Sequence, residues 1–307
     1  MRRHFRLCFL APALLCGVTL CGCSCDSPPQ PDAAPRPSAE TAHQPAPAAP
    51  EVPAAQAAAP LSWEELPAIG AVIETNDDGS CRVLNLTDAA PGSLAGGIDA
   101  ADDQLKNIRV VRGKGTICKD LAAFFARMPR LAEFLWVEAG DSAEAVDQLA
   151  ALPVKKLRLC GLSIDPAGYS FLARLANVED LDISGSSIDD RACGFLASLA
   201  KLKKLNLYQT AVTDAGLADL APLAERVTWL NLDATAVSDA GLESLKSWTK
   251  LTFLHLGRTS IDDQAVEPLS ALTALEKLHV TRTQMTEEGM TALQEKLPNC
   301  QVVTKPE

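Results

Sequence analysis

The chain has 307 residues, 47% hydrophobic but only 5% aromatic, with 28 basic residues against 39 acidic ones and a formal charge of -11. That balance argues against nucleic acid and anionic lipid surfaces as partners, because both select for net positive charge. The length suffices for a sizeable core, and the cysteines from Cys25 onward fall at spacings that make no disulfide framework.

Three arginines stand within Met1 to Arg6, and Leu7 to Leu20 is mostly apolar. That stretch has the length of a signal-peptide core and is short for a membrane span. It closes on Leu20-Cys21-Gly22-Cys23, which resembles a bacterial lipobox with Leu at -3, Gly at -1 and Cys23 as the lipidated residue. Cys21 at -2 departs from the pattern, and Cys21 and Cys25 are rival cysteines for the lipidated position. Residues 1–22 therefore read as a lipoprotein signal peptide, with a plain secretory signal or an uncleaved anchor as the alternatives. The expectation is an exported chain held to the bacterial cell membrane by lipid at Cys23, facing the periplasm or exterior. Two or more acyl chains anchor firmly where one is marginal. Without Arg2, Arg3 and Arg6 the 28 basic residues drop by three against 39 acidic ones, leaving about -14. Residues 23–62 are dominated by Pro and Ala and cannot bury a core, so they predict an extended tether, either a spacer or a neutral linker.

Residues 63–80 predict an N-terminal cap. Trp63 to Ile69 leads into a hairpin whose strands flank an Asp78-Gly79 turn. From residue 81 to 304 the sequence repeats about every 24 residues, most plainly as VKKLRLCGLSI, VEDLDISGSSI, LKKLNLYQTAV, VTWLNLDATAV, LTFLHLGRTSI and LEKLHVTRTQM. Each is followed by a second half such as TDAGLADLAPLAE. This frame resembles the leucine-rich repeat. Degraded units opening at Leu84, Leu105 and Leu131 bring the expected total to about nine. Leu205 and Leu207 are two apart and share one strand face. Leu217, Leu220 and Leu223 recur at helical spacing. Thr213, Ser238 and Asp262 stand where a side chain caps the helix that follows. The predicted fold is α/β: a right-handed solenoid with a parallel concave β-sheet, short helices on the convex side, and the hairpin covering its first coil. A last strand begins after Leu297-Pro298-Asn299-Cys300.

Strand positions three, five and seven of the frame point out of the sheet. Over four adjacent repeats they gather Tyr208, Trp229, Phe253, His255 and His279, although folding requires no aromatics on a wet face. Asn231 lies among them, and Lys204, Asp233, Arg258 and Lys277 ring them. Aromatics inside a charged rim have the composition of a protein-interaction site. The bland reading is that Trp229 and Phe253 merely cover each other across strands.

The sequence contains no phosphate loop, no C-x-x-C, no H-E-x-x-H and no G-x-S-x-G. His255 and His279 should stand side by side, but with Asn206 and Asn231 as neighbours they lack the ligands for a metal. These observations predict no enzyme and no cofactor. Cys81, Cys118, Cys160, Cys193 and Cys300 read as small buried hydrophobes, with Cys81–Cys118 the one pair worth considering as a disulfide.

The T-D-A-G-L half-repeats at Thr213 to Leu217, Ser238 to Leu242 and Asp262 to Val266 resemble GALA-like and cysteine-containing leucine-rich repeats. With the lipobox, the linker, the D-D-G hairpin and the closing L-P-N-C, the chain resembles leucine-rich repeat lipoproteins of planctomycete-type bacteria. The usual asparagine at the ninth position is replaced by Thr210, Thr235, Thr259 and Thr283, whose hydroxyls can still bond within the turn. The resemblance implies a non-enzymatic module that binds a protein through its concave face at the cell envelope. The alternative is a structural envelope protein that self-associates or binds wall glycan.

Overall fold

The computed structural model describes residues 59–90, 92–140 and 143–305. The leader, Cys23 and nearly all of the Pro/Ala segment lie outside them. No helix among the described residues is long and apolar enough to cross a membrane.

Each repeat yields one short strand, since its alternating leucines need one dry face and one wet face. The strands are β1 (Leu61–Ser62), β2 (Val72–Thr75), β3 (Cys81–Leu86), β4 (Ile98–Asp99), β5 (Val110–Lys114), β6 (Glu133–Val137), β7 (Lys156–Leu159), β8 (Asp180–Asp182), β9 (Lys204–Asn206), β10 (Trp229–Asn231), β11 (Phe253–His255), β12 (Lys277–His279) and β13 (Gln301–Val303). All but β1 and β4 form one eleven-stranded sheet, ordered as they occur in the chain. β2 and β3 make the predicted antiparallel hairpin. From β3 onward the pairing is parallel, and Leu205, Leu230, Leu254 and Leu278 stand in one cross-strand row. β1 pairs in parallel with β4.

That last pairing corrects one boundary. The tether is predicted to reach residue 62, but Leu61 and Ser62 are already structured. Leu61 N–H donates to the Gly97 carbonyl. Ser62 donates from both its N–H and its hydroxyl to the Glu65 carboxylate at the start of the 3-10 helix Trp63–Ile69. Proximity to a Pro/Ala-rich stretch hid a strand of two residues.

The core lies between the sheet and the helical halves. Leu205, Leu230 and Leu254 are fully buried from the strands, Leu207, Leu232 and Leu256 from the turns just after them, and Leu217, Leu220 and Leu223 from the helical side. Burying one such leucine is worth about 1.5–3 kcal/mol. No single coil can enclose its own set, so stability resides in the contacts between coils. At the N-terminal end Phe125 packs on Phe134 and Trp136, which stack at 5.5 Å.

Two recurring sets of hydrogen bonds shape the solenoid, one inside each turn and one between neighbouring coils. In the first, the hydroxyls of Thr210, Thr235, Thr259 and Thr283 donate to the carbonyls of Leu207, Leu232, Leu256 and Val280. These threonines bond within the turn, three residues back. The second set forms a ladder that was not anticipated from the repeat pattern. Asp190 accepts from the N–H and hydroxyl of Thr213, Asp214 from those of Ser238, and Asp263 from those of Thr286. Each aspartate ties its helix to the start of the next one. Thr213 and Asp262 cap their own helices as predicted. Ser238 makes no such cap, and its hydroxyl donates to Asp214.

This ladder also explains the glycine in T-D-A-G-L. A Cβ at Gly216 would sit 2.2 Å from Asp190 Oδ1, one at Gly241 2.2 Å from Asp214 Oδ1, and one at Gly289 1.9 Å from Asp263 Oδ1. At the remaining junction the glycine is replaced by Ala265. There Asp239 accepts only the Asp262 N–H, at 3.1 Å, and it faces a second carboxylate.

The five cysteines of the described residues are free thiols. Cys81 donates to the Val83 carbonyl, while Cys118 caps the helix Lys119–Ala126 by accepting from Leu121 N–H. The disulfide considered between them does not form. Burial pushes the Cys193 thiol up to about 12.

Candidate functional site

Neighbouring parallel strands bring residues of equal frame position side by side, so the outward rows of β9 to β12 become continuous stripes. Row three runs Lys204, Trp229, Phe253, Lys277, and row five runs Asn206, Asn231, His255, His279. The indole of Trp229 and the ring of Phe253 stack at 4.7 Å, their planes nearly parallel. Phe253 lies 5.5 Å from His279, which stacks on His255 at 4.5 Å. Four aromatic rings thus form one connected strip, all half-buried rather than submerged.

Row five is shaped by the turn that follows each strand. Asn206 accepts from Tyr208 N–H and Asn231 from Asp233 N–H, at 3.0 and 2.9 Å. His255 Nδ1 takes the same role toward Gly257 N–H at 3.2 Å. That bond requires an unprotonated Nδ1, which places the proton of the neutral ring on Nε2. Burial, outweighing the pull of Asp233, lowers the His255 pKa below its ordinary 6.5.

Row seven and the position after it supply an ionic clasp. Arg258 occupies a left-handed backbone position with φ 52°. Its Nε donates to Asp233 Oδ1 at 2.9 Å and its Nη2 to Oδ2. The same guanidinium lies 5.0 Å from the centre of the Tyr208 ring, within cation–π range. Asp233 is only 8% exposed. It was expected on the solvent rim, but it sits beneath Arg258 and beside His255, serving the strip from below.

All ten predicted residues therefore gather on β9 to β12 and the turns after them. Tyr208, Trp229, Phe253, His255 and His279 are partly open, and Lys204 and Arg258 are exposed. The structure adds a groove that the frame alone did not single out. It has a volume of about 240 Å³, adjoins the free side of Trp229, and is lined by Lys156, Arg158, Asp180, Asp182, Lys204 and Asn206. The signal for it was the alternation of charge along rows three and five. Arg158 Nε donates to Asp182 at 2.9 Å.

A larger cleft, about 640 Å³, lies among Asp88, Leu94, Lys114, Thr116, Trp136 and Glu138. Its lysine is spent on Glu138 at 3.1 Å, and none of the predicted residues reaches it. Among the described residues no three metal-ligating side chains converge.

Neither a family model nor a curated protein matches this chain. Among solved structures, an internalin of Listeria monocytogenes is similar with a TM-score of 0.51 at 22% identity, covering 73% of this chain and 61% of that one. Internalin C2 of the same organism gives 0.49 at 22% identity over 67% and 84% of the two chains. An Arabidopsis receptor kinase, solved with a peptide hormone and a co-receptor, gives 0.43 at 15% over 69% and 40%. The chain thus spans 61% of the length of the first internalin. With the parallel ladder, this likeness establishes the fold as a leucine-rich repeat solenoid.

Proposed function

We propose that this chain is a non-enzymatic recognition module that binds a protein partner through the open face of β9 to β12, at the bacterial cell envelope. The observation that carries the reading is the connected strip of Trp229, Phe253, His279 and His255, left half-open on a face that folding does not require to be aromatic. Half-buried aromatics within a polar rim are what interface hot spots are made of. Several adjacent strands offer the roughly 800 Å² per partner that a standard interface needs. Attachment through a lipidated Cys23, after removal of residues 1–22, would hold the solenoid outside the membrane on its Pro/Ala segment.

Crosslinking capture from native envelopes tests this, comparing the intact chain with a Trp229→Ala/Phe253→Ala variant whose circular dichroism is unchanged. A protein captured only by the intact chain supports the reading. Equal capture by both forms removes the strip from recognition. Anchoring is checked separately by globomycin-sensitive processing and by Cys23→Ala, which should release the chain from the membrane fraction.

A further inference from the structure

Resting on that reading, we infer that the partner presents an acidic polypeptide segment, with carboxylates seated along Lys156 and Lys204 and an apolar side chain on Trp229. The chain as a whole carries -11. Its open face between β7 and β12 has the opposite balance. Five cationic side chains stand there, Lys156, Arg158, Lys204, Arg258 and Lys277, against Asp180, Asp182 and Asp233.

Two of those three carboxylates are already neutralised. Asp182 is 8% exposed and bonded to Arg158, and Asp233 is 8% exposed and clasped by Arg258. Asp180 alone remains, half-buried in the row between Lys156 and Lys204. Among the described residues neither lysine forms an ion pair, although both stand next to that aspartate in register. Both border the groove of about 240 Å³ that ends at Trp229. Phe253 covers one side of the indole, so the other side, toward β9, is the side open to the groove.

The chemistry of an occupant follows from this pattern. Basic side chains left over on an otherwise acidic molecule form a local well for anions, and they repel a cationic partner only at this place. The aromatic wall adds affinity for an apolar group beside the charge. An extended peptide laid across the strands meets both at once, with carboxylates spaced like the lysine row and one apolar residue at the indole. A long polyanion such as nucleic acid would meet the acidic remainder of the molecule on either side.

The test uses the full chain and fluorescent peptides built from repeated Glu-Phe-Glu-Gly units, with matched Gln and Lys versions, read by anisotropy. A sulfated oligosaccharide serves as the non-protein anion. The acidic peptide should bind at least tenfold more tightly than the Gln or Lys peptide at low salt. Lys156→Glu/Lys204→Glu should abolish that preference, and Asp180→Lys should raise affinity severalfold. Trp229→Ala should weaken the acidic peptide without reversing the charge preference. Equal binding of the Lys peptide, or indifference to the charge reversal, overturns the inference. So does binding of the oligosaccharide with no binding of the acidic peptide. If envelope capture through Trp229 persists while the acidic peptide fails, the charge assignment falls and the recognition reading stands. If both fail, both fall.

Discussion

His255 shows how one side chain can serve the turn and the face together. Its Nδ1 accepts the Gly257 N–H, as the side-chain oxygens of Asn206 and Asn231 do in the two preceding coils. An imidazolium cannot accept that bond. Its folded-state pKa lies below the ordinary 6.5, chiefly through burial. The unfolded chain therefore takes up the proton more readily than the folded one. Stability from this group is complete above pH 6.5 and is lost as pH falls through the lower folded value. His255→Asn keeps the acceptor and removes the titration. Urea denaturation at a series of pH values should show a shallower acid limb for this variant, with its neutral stability nearly unchanged. An unaltered acid limb would mean that the turn does not depend on Nδ1.

At the scale of the coil, the Asp–Gly ladder makes the sharpest prediction. Gly241→Ala drives a Cβ to 2.2 Å from Asp214 Oδ1, which must give up its bonds to Ser238. The expected loss is about 1–3 kcal/mol, as for overpacking elsewhere. Gly194, inside the helix Asp190–Ala197, has nothing within 4 Å of its would-be Cβ. There Gly→Ala should gain up to about 1 kcal/mol from helix propensity. Equal effects at the two positions would show that the ladder contributes nothing.

The broken rung at Asp239 behaves oppositely to a bonded one. Burial first, then the nearby Asp262 charge, raises its pKa above 3.8. The folded state holds that proton more tightly, so stability declines as pH rises from 3.8 through the folded value. Asp239→Asn should raise the denaturation midpoint at neutral pH, and the gain should vanish below pH 3.8. These details mark the limit of what single repeats reveal. The leucine frame shows which residues face inward, because period-two and helical spacing are local properties. The rung from Asp190 past Gly216 spans adjacent coils, and it becomes legible only when aspartates and glycines are compared between repeats. The burial of Asp233 escapes the single-repeat frame for the same reason. Its row faces outward, but Arg258 folds back over it from the following coil.

For the molecule as a whole, the charge distribution separates folding from binding. A formal charge of -11 means that the folded chain repels itself, whereas the open face retains unbalanced lysines at 156 and 204. Salt shortens the reach of both effects, from a Debye length of about 30 Å at 0.01 M to about 8 Å at 0.15 M. Self-repulsion acts across the solenoid and is relieved first. The exposed ion pairs, such as Lys203 with Glu179 and Lys296 with Glu267, each contribute only about 0–1 kcal/mol and cannot reverse that trend. The melting temperature followed by circular dichroism should therefore rise between those two salt concentrations. Affinity for the acidic peptide should fall over the same interval. A melting temperature that drops with salt would place more of the stability in ion pairs than in the leucine core. Parallel movement of both quantities would contradict a face whose charge differs in sign from the rest of the molecule.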